Sequence, residues 1–449
     1  MFDLFKHQGY DCDGQKMELG KIAPEGRTDV AEGSILEIEP SVAMTSEHNL
    51  HVVQQAIETI GMGKYQWLLA FSCGFGFLVD QMLLVSVSLV TPQASMEFDP
   101  QYPTLLSAAL YAGLVIGALS VGQLADIVGR FLVWQLSIFG VAIFSMIAAS
   151  APNWTALNVF VALTGIFGGG NLAIDLTLLT ECLPVRFSFI LTGLASVWGL
   201  GSAITGAIAW PLLVNYGCPN GETMTMCSKN SNMGWRYLYI TLGGLGLVMS
   251  IVRSFVLHSQ ESPKWLVANG QVDEAVYVLN NIGKSNKSEH RVTRQDFITN
   301  TVSDTKSSRH RNFRRIIQSV VTLFTGSGQL RLMSCLIMTW ALIGICYPLF
   351  IIFLPYYLEA HGARLGTSSS YQTYRDWTVS SVAGILGPFL GMAMIAAPWL
   401  KSRRSIATAA FACAAFSGAF TSVKTEAQNL AFSCMINFWL NALYGIVYA

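Results

Sequence analysis

Two aspartates in this chain stand where carboxylates are costly. Asp80 falls in GFGFLVDQM, inside an apolar run over 66–92, and Asp175 falls in GGGNLAIDLTLLTECLPVR, residues 168–186. A charged side chain at the centre of a bilayer costs about 2.5–3.5 kcal/mol on insertion scales, so it has to face a partner or a watery cavity. Asn171 and Asp175 are four residues apart and share one helix face. Such a set, with Gln81 beside Asp80, can bind a proton or hydrogen-bond a polar solute. The structural alternative is a polar bond between helices, with Asn171 satisfying Asp175. Glu181 lies about 9 Å further along a helix at 1.5 Å per residue, which places it at the membrane rim. All seven histidines fall in tails or loops, so a proton relay at depth has to use carboxylates. With both aspartates ionised the site is net negative, which suits a proton with a neutral solute, or a cation.

The elements that carry these groups are helices made for lipid. The 449 residues are 52% hydrophobic and 12% charged, about half the charge content of a soluble domain. Apolar runs of membrane-spanning length recur near 66–92, 104–124, 131–151, 156–180, 187–213, 236–257, 332–358, 378–400, 405–423 and 429–449. The chain therefore reads as an all-α, multi-pass membrane protein. Residues 1–64 are polar and acidic and read as a mostly disordered tail. Residues 65–257 hold six spans, 258–330 form a polar loop with amphipathic helices, and 331–449 hold four more. Lys and Arg cluster in the loops on the side of the N-terminus, which the positive-inside rule makes cytosolic. The basic run Arg309 to Arg315 suits anionic lipid headgroups rather than nucleic acid.

Other residues are open to two readings. Asp126, Gly129 and Arg130 in GQLADIVGR, residues 122–130, can form a tight charged turn, or merely cap and anchor two helices. Trp340, with Trp198, Trp210, Tyr347 and Tyr356, can stack on a ring of a solute or serve as packing. Pro348 and Pro355 are expected to break the seventh helix. Cys218 and Cys227 share a loop on the outer side, where a disulfide and two free thiols both stay open. No spacing suits a metal or a nucleophilic catalytic set, and GKS at 283–285 lacks the first glycine of a phosphate loop, with Val278 in its place. An enzyme is not expected, and neither is a cofactor.

GQLADIVGR resembles the G-x-L-A-D-x-x-G-R signature of the major facilitator superfamily, in the loop where that family carries it. ESPKWLVANGQVDEAVYVL, residues 261–279, resembles the E-S-P-R-W-L segment of its sugar-porter branch. GGGNLAIDLTLLTECLP is similar to the G-G-N-L-P-V-D…E-F-L-P stretch of a fungal group of sugar-porter-like carriers. The IAWP at 208–211, the loop cysteines and NMGWRYL at 232–238 match that group too. The resemblance covers about residues 60 to 449. It implies the major facilitator fold, with a six-helix N-terminal half and a C-terminal half incomplete at four helices. It also implies a secondary transporter of a small organic solute, sugar-like and proton-coupled, monomeric, in the plasma membrane, with alternating access. Export of a small metabolite is the second reading, and a truncated, non-transporting binding or sensing protein the third. The binding set is then Asp80, Gln81, Asn171, Asp175 and Trp340. The cytosolic gate is Asp126, Gly129, Arg130, Glu181, Arg186 and Glu261, with Arg403 and Arg404 in the corresponding loop of the second half. Ending in the tenth span is expected to leave Gly384, Gly387, Gly391, Asn437 and Asn441 facing lipid, and to leave the chain a poor transporter.

Overall fold

The computed structural model describes residues 40–218, 227–256, 260–298, 324–364 and 370–448. Its elements are all helical. A first helix, α1 (Pro40–Ile60), precedes six spans: α2 (Lys64–Phe98), α3 (Leu105–Val128), α4 (Arg130–Ala148), α5 (Trp154–Cys182), the pair α6 (Phe189–Leu194) and α7 (Ser196–Tyr216), and α8 (Gly234–Val256). Two short helices, α9 (Pro263–Ala268) and α10 (Val272–Ser285), lead to the second group. That group holds α11 (Ser327–Arg364), α12 (Ser370–Gly384) with α13 (Gly387–Ala396), α14 (Lys401–Phe420) and α15 (Glu426–Val447). Among the described residues nine segments are long and apolar enough to cross a membrane. The segment α14 matches the ninth expected span, but Lys401, Arg403 and Arg404 in its first turn dilute its apolar content.

Glycine sets how closely these helices approach. A β-carbon at Gly113 or Gly117 of α3 would overlap the backbone of Ala162 or Ile166 on α5, and one at Gly169 would overlap Leu114 on α3. Each helix thus offers glycine to the other's backbone, the small-residue packing that replaces hydrophobic drive inside lipid. The two groups of spans meet the same way. Gly199 and Gly206 of α7 face Ile385 and Trp377, where added β-carbons would come within 2.9 Å. The long helix α2 runs through the middle, with 78% of its most apolar window buried.

Three expectations need correction. The tail ends in a packed helix, because Val53, Ala56, Ile57 and Ile60 recur at helical spacing and bury against Leu266, Ala275, Leu279 and Ile282 of α9 and α10. Asn49 locks this cap by donating to Ile298 O and accepting from Ile298 N, at 3.0 and 2.9 Å. Pro348 and Pro355 do not break the seventh span, since α11 is helical throughout 327–364. Nor do the glycines and asparagines of the last spans face lipid. Gly384, Gly387 and Gly391 pack on Asn441, Phe438 and Ile446 of α15, and Asn437 and Asn441 are 6% and 5% exposed. The small residues of α12 and α13 bring α15 close enough to bury them. Residues 1–39 and the basic run 309–315 lie outside the described residues.

On the face opposite α9 and α10, Cys218 and Cys227 form a disulfide. Beside it Arg236 donates to both oxygens of Glu97 at 2.8 and 2.7 Å, and Trp235 donates to Oε2 at 3.0 Å. This pins the end of α2 to the start of α8.

Gly117→Ala is expected to destabilise the protein by about 1–3 kcal/mol, the usual result of overpacking. The loss should appear as a lower Tm in detergent. Gly344→Ala on α11, where a β-carbon meets nothing within 4 Å, should leave Tm unchanged or raised. Equal losses at both sites would contradict the packing argument.

Candidate functional site

Four helices bring the two aspartates together. Asn171 of α5 donates from Nδ2 to Asp80 Oδ1 and Oδ2 of α2, both at 3.3 Å, and to Asp175 Oδ2 at 2.9 Å. Asp175 is also held by cations and donors from two further helices. Arg253 Nη2 of α8 donates to Asp175 Oδ1 at 2.7 Å, and the Trp134 indole of α4 donates to the same oxygen. Arg253 Nη1 donates to Asn171 Oδ1 at 3.1 Å. The Arg253 guanidinium lies 3.3 Å from the centre of the Trp134 ring, so ring, carboxylate and amide together replace its water. Arg253, Asn171 and Asp175 are fully buried.

Gly76 makes this possible from the α2 side. A β-carbon there would overlap the Asp175 carboxylate and come within 2.7 Å of Asn171 Nδ2. The missing side chain lets α5 lay its polar face against the backbone of α2.

The two aspartates are therefore not equivalent. Asp175 has a permanent counter-ion, while Asp80, 6% exposed, has no ion pair among the described residues and only the two long bonds from Asn171. Arg253 was not among the expected site residues. Its place inside the bundle sets the site at one negative charge with both aspartates ionised. The signal that could have found it is the spacing of Ser250 and Arg253 on one face of the sixth apolar span.

A ring cluster lies one turn from Asp80 on the α9–α10 side. Phe77 of α2 packs edge-on against Trp198 of α7 at 4.9 Å, and Trp198 meets Tyr444 and Tyr448 of α15 at 4.6 and 5.2 Å. Trp340 of α11 joins through the same two tyrosines, at 6.0 and 4.8 Å. The cluster thus spans both groups of helices, and Trp340 belongs to it rather than to the carboxylate set. Gln81 also stands apart from Asp80, donating to Ser202 Oγ of α7 at 2.9 Å. Neighbouring residues of one helix point about 100° apart, which separates them.

The charged turn is built from three segments. Gly129 has φ 124°, a conformation that suits glycine, and a β-carbon there would sit 2.6 Å from Glu261 Oε2. Glu261 accepts from the backbone N–H of Arg130 at 3.0 Å and of Phe131 at 3.2 Å, so a carboxylate caps the start of α4. Arg130 pairs with Glu181 at the end of α5, and with Asp126 at 3.3 Å. Ser262 Oγ donates to Glu181 Oε2 at 2.6 Å, and Trp265 Nε1 to Asp126 O at 2.9 Å. Arg186 does not join this cluster. It is exposed, with its guanidinium over Phe187 at 4.9 Å. Arg403 and Arg404 are exposed as well, and Arg404 donates to Trp399 O at 2.7 Å. Their turn has no acid to draw them in.

A bundle of this kind, with buried charges along its axis and a charged turn closing one face, defines a multi-pass membrane transporter rather than an enzyme. The sequence pattern of the Major Facilitator Superfamily matches residues 69–449, and the chain belongs to that superfamily. It is 33% identical over 408 residues to MFS siderochrome iron transporter 1 of Ceriporiopsis subvermispora, covering 89% of this chain and 78% of the relative. It is 32% identical over 444 residues to the major facilitator-type transporter hxnZ of Emericella nidulans, covering 94% and 80%. The partially occluded inward-open xylose transporter XylE from E. coli shares the fold with a TM-score of 0.58 at 14% identity, over 85% of this chain and 83% of XylE.

Removing Arg253 strands a buried carboxylate. Arg253→Leu is expected to cost about 3–5 kcal/mol, and adding Asp175→Asn should recover part of the loss. Strictly additive losses in thermal unfolding of the purified variants would show that the two do not act as a pair.

Proposed function

We propose that this protein is a proton-coupled secondary transporter that takes up a small organic solute by alternating access, as a single chain in the plasma membrane. The face bearing α1, α9 and α10 is cytosolic. The observation that carries the reading is the contrast between the aspartates: Asp175 is paired with Arg253, whereas Asp80 is buried and has no ion pair among the described residues. A carboxylate so placed is the natural proton carrier, since burial penalises its charge and protonation removes the penalty. The solute site lies beside Asp80 against the ring cluster of Phe77, Trp198, Trp340 and Tyr444.

The solute is neutral or cationic, because the site carries one negative charge when Asp80 is ionised. A sugar or sugar-like solute is the first class to assay. Its hydroxyls suit the Asp80 carboxylate and its apolar face suits the rings. One relative is named for siderochrome iron, and a neutral or cationic chelate meets the same charge requirement. Arg130, Glu181 and Glu261 form the cytosolic gate. Opening that face has to break the Arg130–Glu181 pair, whose side chains are only 16% and 15% exposed.

Two measurements in vesicles reconstituted with the full chain test this reading. Asp80→Asn keeps size and hydrogen bonding but cannot titrate. It is expected to abolish accumulation against a gradient while leaving solute exchange across the membrane. Accumulation at the wild-type level would make Asp80 structural. Arg130→Ala and Glu181→Gln should each slow transport more than they weaken solute binding. A double-mutant cycle should give a coupling of at least about 0.5 kcal/mol, and simple additivity would remove the gate pair.

A further inference from the structure

The face of α15 that meets α12 is polar from its outer end inward. Asn429, Ser433, Asn437 and Asn441 recur at every fourth residue and so lie on one side of the helix. None is more than 6% exposed. The register of the seam is fixed at three points. Gln372 Nε2 and Arg375 Nη2 donate to Glu426 Oε1 at 3.0 and 2.8 Å. Asn437 Nδ2 donates to Ser380 Oγ at 3.2 Å. Further in, a β-carbon on Gly384 would lie 2.8 Å from Asn441 Nδ2.

Between the first and second anchors stand two buried polar groups, Asn429 Oδ1 and Ser433 Oγ, that have no hydrogen-bond partner among the described residues. On the α12 side Asp376, 4% exposed, follows Arg375 at the same level. A buried polar atom left unpaired costs about 1–3 kcal/mol. Water is the partner that fits, being small enough for a helix seam and able to bond several such groups at once. At the inner end, Tyr444 follows Asn441 by one turn, and its ring meets Trp198 at 4.6 Å, which packs at 4.9 Å on Phe77, one turn from Asp80. From Glu426 to Asn441 the stripe runs about 22 Å at 1.5 Å per residue.

We propose that the α12–α15 seam is a hydrated proton path from the Arg375–Glu426 mouth to Asp80. This rests on Asp80 being the proton carrier. A proton entering at the mouth passes along waters held by Asn429, Ser433 and Asn437. The Ser433 hydroxyl accepts from one neighbour as it donates to the next. One proton enters, no other bond changes, and the Asp80 carboxylate becomes a carboxylic acid. The path supplies Asp80 from outside while the ring cluster and the gate keep the cytosolic side shut.

The test compares Ser433→Val with Ser433→Thr in the purified full chain in lipid nanodiscs. The two replacements match in volume and differ in one hydroxyl. After a jump to acidic pH, infrared spectroscopy follows the carboxylic acid band that Asp80→Asn removes. The band should rise in Ser433→Thr at the wild-type rate. It should rise about tenfold slower in Ser433→Val and in Asn429→Leu, the factor that about 1.4 kcal/mol of lost hydrogen bonding gives, and reach the same final height. Wild-type rates in Ser433→Val, or equal slowing in the valine and threonine variants, would overturn the path while leaving Asp80 as carrier. A wild-type protein with no band that depends on Asp80 would overturn both.

Discussion

The buried contact between Arg253 and Asp175 is the constraint on which the N-terminal half depends. Neither charge is tolerable alone in a dry bundle, since the effective penalty is several kcal/mol per ion. Each therefore requires the other, and both require Asn171 and Trp134 to fill the remaining hydrogen-bonding positions. Four helices are fixed by one cluster. Gly76 is the fifth participant, because its missing side chain is what allows the carboxylate to lie against α2. A neutralised pair next to a carboxylate with no ion pair among the described residues is the asymmetry on which the proposed proton exchange at Asp80 rests.

The same economy appears at the face that bears α9 and α10. Glu261 reaches from the inter-half segment to cap α4, and Ser262 binds the glutamate that holds Arg130. The segment is placed by α1, whose apolar stripe would otherwise have nothing to cover. The charged turn is thus tied to an element far away in sequence. Movement of α4 against α5 has to disturb α9, and through it the whole cap.

Much of this was legible in the sequence. The spans, the charged turn at 122–130 and the helix face shared by Asn171 and Asp175 follow from spacing alone. Arg130 and Glu181 were grouped through the family resemblance, and the loop disulfide was one of two open readings. Arg253 was missed because it lies three residues from the end of α8, where composition resembles a membrane anchor. Only the approach of α4 and α5 shows that it turns inward. The packing of α1 was hidden by the acidic residues before it. The asparagines of α15 were expected to lose their partners, because a stripe on one helix does not reveal that glycines opposite will bring another helix within reach. Gln81 and Trp340 were grouped with Asp80 by proximity in sequence or by residue type, and neither property fixes direction.

The central claim is that Asp80 alone among the buried carboxylates of the N-terminal half exchanges a proton. Potentiometric titration of the purified protein tests it most directly, as the difference in protons bound between acidic and neutral pH. Asp80→Asn should take up one proton fewer than the wild type. Asp175→Asn should match the wild type, because the Arg253 guanidinium 2.7 Å away favours the charged form of Asp175. Identical curves for Asp80→Asn and the wild type, or a proton that disappears with Asp175→Asn instead, would contradict the account.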